Sequence, residues 1–183
     1  MGNVKKNILN ILSDGKYESE IMDFVPAEEE YSISEDRIRH MHGVAELMYR
    51  FADNFHCRNL SKEEIYILGL NHDIGYLNGK YAHETNGAIL FTNRVIRHCV
   101  QWHDSSPDEY LKIFNREELP RELILLWWAD MMVESAGENA GRVVGFRKRL
   151  ENISERYGRN SDIYQKCKEK VDWLIGYFSE DFI

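Results

Sequence analysis

The sequence is poor in cysteine and in proline, and it has no long apolar run. Its cysteines lie far apart, at Cys57, Cys99 and Cys167, without a Cys-x-x-Cys pair, which argues against a disulfide framework and against a thiolate zinc site. No segment approaches the ~20 consecutive apolar residues of a membrane-spanning helix, and the N-terminal apolar run is too short for a secretory signal. We therefore expect reduced cysteines and a soluble, cytoplasmic protein that does not bind membranes.

An excess of positive charge is also missing. The chain has 23 lysines and arginines against 31 aspartates and glutamates, and its net charge is −8. Such a chain repels polyanions, so we expect no binding to nucleic-acid polymers. With 183 residues, 43% of them hydrophobic, the composition is that of a folded chain, and we expect one compact domain over residues 1–183.

Alternating β-branched residues, the mark of exposed strands, are absent as well. Apolar positions recur at helical spacing instead, and Ser61 with Glu64 forms a capping-box signature. The predicted fold is an all-α, multi-helix bundle. Its predicted helices cover residues 4–12, 18–24, 34–54, 61–73, 84–104, a short stretch after Pro107, 120–134, 139–157 and 161–178.

Histidine, by contrast, is concentrated in one part of the chain. All 7 histidines fall between positions 40 and 103. Residues three, four or seven apart share a helix face, and by this test four polar residues lie on apolar faces and point inward: His40, His72, His103 and Asp130. His42 and His98 lie on other faces of their helices, so we predict that neither belongs to a site.

Asp130 is the clearest sign of bound metal. It is flanked by Trp127, Trp128 and Met131, and burial of a carboxylate in such a wall is costly unless the charge is paired or binds an ion. Imidazole and carboxylate ligands without thiolate suit Fe, Mn, Zn, Ni or Co, and the lack of a dense oxygen cage argues against Ca²⁺. A metal held by His40, His72, Asp73 and Asp130 resolves this cost.

These residues resemble the HD domain superfamily of metal-dependent phosphohydrolases. That family has a histidine, then a His-Asp doublet, then a distant aspartate, and the pattern is similar to RIRHMHGVAEL, LNHDIGYL and WWADMM in this chain. The resemblance covers about residues 37–130. It implies a helical core of about residues 34–136 that carries the metal site among its central helices, with the N-terminal helices and two C-terminal helices packed on it.

Some branches of the superfamily bind two metals through two further histidines. The segments YAHETNGAILF and IRHCVQWHD are similar to those positions, which implies that His83 and His103 bind a second metal and that Asp73 bridges the two. Twenty residues along one helix amount to about 200° of rotation. His83 and His103 can therefore meet only if His83 lies at the helix entry or in the preceding loop.

The resemblance implies hydrolysis of a phosphate ester or anhydride in a small phosphorylated molecule, with a nucleotide as one candidate. One or two divalent or mixed-valent transition metals would activate water, and Asp73 would be the catalytic residue that orients it. Candidate phosphate contacts are Arg37, Arg39, Arg94, Arg97, Tyr76 and Lys80. Two alternatives stay open: a di-iron oxygenase of the same superfamily, and a non-catalytic module that binds a nucleotide. The sequence makes no prediction of the oligomeric state.

Overall fold

Side-chain caps mark where the first helices of the structure begin. The computed structural model describes residues 33–78, 81–115, 117 and 119–181. Helix α1 (Glu35–Phe51) starts after Ser34, whose hydroxyl accepts a hydrogen bond from the Arg37 amide. Helix α2 (Lys62–Asn71) starts after Ser61 with both hydrogen bonds of the predicted capping box. Each cap satisfies amides that have no partner inside the helix.

The remaining elements are also helical. A 3-10 helix (Ile74–Asn78) follows α2, and the later α-helices are α3 (His83–Ala88), α4 (Arg94–Trp102), α5 (Pro107–Ile113), α6 (Arg121–Met132), α7 (Phe146–Tyr157) and α8 (Asp162–Asp181). Across the described residues there is no β-strand, and an isolated antiparallel bridge joins Val133 to Val143. The predicted all-α fold is confirmed.

Helix α6 forms the centre of the bundle. Five consecutive residues of α6, Leu123 to Trp127, are at most 2% exposed, and a helix that is apolar on every side belongs in the interior. Helix α1 packs on α2 and α6, α4 contacts α2 and α6, and α8 packs on both α6 and α7. The aromatic end of α8 contributes Trp173, Tyr177 and Phe178 to this core.

Two predicted helices have different bounds in the structure. The predicted helix over 84–104 is wrong, because residues 89–93 leave the helical path and Asn93 caps a new helix by accepting from the amides of Val95 and Ile96. The predicted helix over 139–157 begins only at Phe146. The segment before Phe146 instead forms a loop in which Glu134 exchanges backbone hydrogen bonds with Gly141 and Arg142.

The remaining predictions concern the N-terminal helices, the domain division, the cysteines and membrane-spanning helices. The helices predicted over 4–12 and 18–24 lie outside the described residues, and the division into a core of about 34–136 with appended helices stays a prediction. The thiols of Cys57, Cys99 and Cys167 are free, as predicted. Among the described helices, none has the length and apolar character needed to cross a membrane.

Candidate metal centre

Five segments of the fold bring the six predicted ligands together. His40 comes from the middle of α1, Asp130 from α6, and His72 with Asp73 from the end of α2. His103 caps the C-terminus of α4, and His83 is the first residue of α3. Because the chain leaves the helical path between α3 and α4, His83 and His103 can face each other, which one continuous helix would prevent.

The first group of ligand atoms lies between α1, α2 and α6. His40 Nε2 is 3.0 Å from Asp130 Oδ1, and His72 Nε2 is 3.4 Å from Asp73 Oδ2 and 3.9 Å from Asp130 Oδ1. His40 and His72 are fully buried, and the Asp130 side chain is 18% exposed. Asp130 therefore gives this buried group a path to solvent.

The second group lies beside the first. His83 Nε2 is 3.1 Å from His103 Nε2, and these two nitrogens lie 3.3 Å and 3.2 Å from Asp73 Oδ1. Asp73 thus faces the second group with Oδ1 and the first group with Oδ2. The described residues contain two buried groups of histidine and aspartate side chains that can hold a metal ion, and Asp73 belongs to both.

The outer nitrogen of every ring in these groups faces an acceptor. The acceptors of Nδ1 are the Glu134 carbonyl at 3.3 Å for His40, the Gly69 carbonyl at 2.7 Å for His72, and the Val100 carbonyl at 2.6 Å for His103. His83 Nδ1 lies 3.4 Å from a carboxylate oxygen of Glu84. Carbonyl and carboxylate oxygens only accept, so a proton on Nδ1 satisfies each of these contacts and leaves the Nε2 atom of a neutral ring free to bind an ion.

The inward-facing atoms fit a metal ion. Three lone-pair donors, His83 Nε2, His103 Nε2 and Asp73 Oδ1, lie 3.1–3.3 Å from one another. Ligand atoms that each lie ~2.1 Å from an ion are ~3.0 Å apart at a right angle and ~3.4 Å apart at the tetrahedral angle. In the first group, buried His72 Nε2 has no hydrogen-bond partner. A cation would satisfy all of these atoms.

Electrostatic interactions within the site favour ionised aspartates. Burial opposes the charged carboxylate of Asp73, but Arg37 and His72 hold its pKa well below the ordinary value. Burial likewise opposes the charge of Asp130, and the hydrogen bond and charge of His40 lower its pKa nonetheless. Burial lowers the pKa of His40, whereas His72 faces both aspartates, which outweigh burial and raise its pKa. Both aspartates are therefore available as anionic ligands.

Arg37 and Tyr76 border the site. The Arg37 guanidinium donates to Asp73 Oδ2 at 2.6 Å and lies 4.7 Å above the Tyr76 ring, which in turn stacks on His83 at 4.1 Å. The Arg37 side chain is 26% exposed. Two other candidate phosphate contacts have partners away from the ligands: Arg39 binds Asp36, and Arg97 binds the Phe91 carbonyl. Arg94 lies beside Arg97 on α4. Lys80 lies outside the described residues.

The histidines predicted to lie off the site are found elsewhere. His42 is exposed on α1, and His98 Nε2 pairs with the Tyr110 hydroxyl at 2.8 Å. Two residues that sequence reasoning missed contact the predicted ligands. Glu84 faces His83, and Lys170 of α8 donates to the His103 carbonyl. The face test would have found Lys170, since Trp173 and Leu174 lie three and four residues beyond it.

No protein-family model, no curated protein and no solved structure matches this chain. Inferences about function therefore depend on the geometry of the site.

Proposed function

We propose that this protein is a metal-dependent hydrolase of phosphate esters or anhydrides that acts on a small phosphorylated molecule, with a nucleotide as one candidate. The observation that supports this function is the pair of ligand groups that share Asp73 and contain four histidines, together with the Asp130 carboxylate 3.0 Å from His40 Nε2. The ligand chemistry suits Fe, Mn, Zn, Ni or Co. None of the three cysteines belongs to either group.

A bound transition metal would supply a Lewis acid for a phosphoryl oxygen and would lower the pKa of a bound water enough to form hydroxide near neutral pH. The protein's own residues do the rest. Asp73 directs one oxygen to each group, which lets it orient a nucleophile held between them. Nδ1 hydrogen bonds keep the rings of His40, His72 and His103 from rotating. Glu84 faces Nδ1 of His83, so the four Nε2 atoms stay available as ligands.

The position of Arg37 favours binding of an anionic substrate. Its guanidinium is partly exposed at the border of the site and is held by Asp73 and by the Tyr76 ring. A planar guanidinium can donate two parallel hydrogen bonds to a phosphate. The net charge of −8 does not oppose this function, because metal ions and Arg37 would dominate the local field.

Two histidines of α1 provide a matched test. The protein would be purified without chelators or metal-affinity resins, and its metal content measured by elemental analysis together with phosphate release from phosphomonoesters and nucleotides. We expect one or two metal ions per chain in the wild type and metal-dependent phosphate release. H40A removes a ligand and should lower metal affinity by more than ~100-fold, the upper end of the effect of outer partners, with loss of activity. H42A, two residues along on the exposed face, should behave as wild type.

Other results of this experiment would favour an alternative function or contradict the proposal. Iron with oxygen consumption and no phosphate release would replace the hydrolase with the oxygenase alternative. Bound metal without either reaction would support the non-catalytic module. A wild-type protein without metal, or an H40A variant with unchanged metal content, would contradict the proposed function.

A further inference from the structure

A lysine is buried next to the candidate metal centre, on a helix that supplies none of its ligands. Lys170 lies on α8, is 2% exposed, and donates a hydrogen bond from Nζ to the His103 carbonyl at 2.7 Å. Its ammonium lies 6.0 Å from the centroid of the Trp127 ring. Burial of an ammonium group is costly unless it is compensated, and these two contacts compensate it at the end of α4.

The end of α4 accepts hydrogen bonds from Ser105 in the turn that follows it and from two other helices. The last carbonyls of a helix have no partner within it, and at α4 two adjacent ones are satisfied from outside. Trp127 Nε1 of α6 donates to the Trp102 carbonyl at 3.2 Å, and Lys170 of α8 donates to the next carbonyl, that of His103. A positive charge at a helix C-terminus is also favourable, because it faces the negative end of the helix dipole.

The position of this helix end sets the position of the His103 ring. His103 Nδ1 donates to the Val100 carbonyl of its own helix at 2.6 Å, so the imidazole moves with the end of α4. From there His103 Nε2 reaches Asp73 Oδ1 and His83 Nε2. Whatever fixes the His103 carbonyl therefore also constrains the position of His103 Nε2 within the second group.

We propose that Lys170 is a positioning residue of the metal centre, which holds His103 in place through its backbone carbonyl and makes α8 a part of the site. As a statement about metal binding, this inference rests on the proposed function.

The test compares K170M with K170R and with K168M. Lys168 lies on the same helix, is exposed, and pairs with Asp172, so K168M is the control for loss of a lysine. Side-chain ¹⁵N NMR of the histidine rings would be recorded on chelator-treated protein, and metal affinity and stoichiometry on loaded protein. Circular dichroism would establish that each variant is folded.

We expect K170M to shift the His103 ring signals while those of His98, which is bound to Tyr110 elsewhere, stay in place. The affinity of the second metal should fall by ~10–100-fold, as it does when a partner of a metal ligand is removed. K170R keeps the charge and the donor and should recover most of this affinity, and K168M should match wild type. If K170M does not fold, K170Q provides the same test, because its shorter side chain keeps a polar end but cannot reach the carbonyl.

Unchanged His103 signals in a folded K170M or K170Q variant would overturn the role of Lys170. The two proposals can fail separately. Absence of metal from the wild-type protein would contradict the proposed function, whereas the ring signals of chelator-treated protein decide by themselves whether Lys170 positions His103.

Discussion

At the scale of single residues, the candidate site depends on which acceptor faces the Nδ1 atom of each histidine. His72 and His103 each donate to the carbonyl three residues earlier in their own helix, and His40 donates to the Glu134 carbonyl. His83 differs, because its Nδ1 partner is the Glu84 carboxylate. A carboxylate partner makes the ring a stronger electron donor and fixes its orientation. Glu84 is therefore the side chain through which His83 can be tuned.

Removal of this carboxylate should weaken the second group without affecting the first. For E84A we expect a ~10–100-fold loss of affinity for one metal ion, the usual effect of deleting an outer partner of a histidine ligand. E84Q, whose amide oxygen still accepts but carries no charge, should lie between E84A and wild type. The measurement is a titration with Co²⁺ followed by its absorption bands. E46A, which removes an exposed glutamate of α1, is the control, and equal titrations for E84A and E46A would contradict this prediction.

At the scale of elements, a close approach between the 3-10 helix and α3 brings His83 to Asp73. Gly75 makes this approach possible. A Cβ atom at Gly75 would lie 1.8 Å from the His83 carbonyl oxygen and 2.5 Å from the Gly87 amide nitrogen. Both are backbone atoms, which cannot rotate away, so a larger residue at this position must push α3 and His83 outward.

The substitution G75A should therefore destabilise the fold and displace His83. We expect a loss of ~1–3 kcal/mol of unfolding free energy, the usual cost of an overpacked interior, measured by urea denaturation, together with weaker binding of the second metal. G176A is the matched control. Within the described part of the chain, no atom outside the local backbone of α8 lies within 4 Å of the Cβ position at Gly176, so that change should stabilise the helix by ~0.5–1 kcal/mol. A G75A variant as stable as wild type would show that α3 can move at no cost.

At the scale of the whole molecule, the apolar core and the ligand groups are separate parts of one bundle. The core of buried residues extends from Met41 on α1 to Leu174 on α8 and includes none of the candidate ligands. The ligands nevertheless come from α1, α2, α3, α4 and α6. A bound ion would therefore link most of the bundle and add stability to a fold that already exists.

Metal removal should lower the melting temperature without unfolding the protein at room temperature. An ion present at 100 times its dissociation constant stabilises the folded state by ~2.7 kcal/mol, and each 1 kcal/mol corresponds to ~2–4 °C for a chain of this size. We expect a fall of ~5–10 °C on chelation, seen by differential scanning calorimetry, and recovery on adding metal back. H40A should show a much smaller response. An equal melting temperature with and without chelator in wild type would contradict this expectation.

The sequence was informative where a helix start has a local signal and much less so where a predicted helix is interrupted. The capping residues Ser34 and Ser61 correctly marked the starts of α1 and α2, because a cap acts within one turn of the chain. The predicted helix over 84–104 was wrong, since the apolar pattern continues through residues 89–93 although the backbone does not. Helical spacing alone cannot reveal a break whose neighbours are apolar and buried, such as Leu90 and Phe91.

The sequence by itself determined that this protein is helical and which polar residues point inward. Helical periodicity is a local property, and it placed His40, His72, His103 and Asp130 on buried faces before any contact was known. Only the tertiary structure decided which of these faces meet. It brought His83 next to His103 through the break after α3, set Gly75 against the His83 backbone, and placed Lys170 at the end of α4. These contacts join residues 8 to 67 positions apart, and no local pattern specifies them, because they depend on how the helices pack.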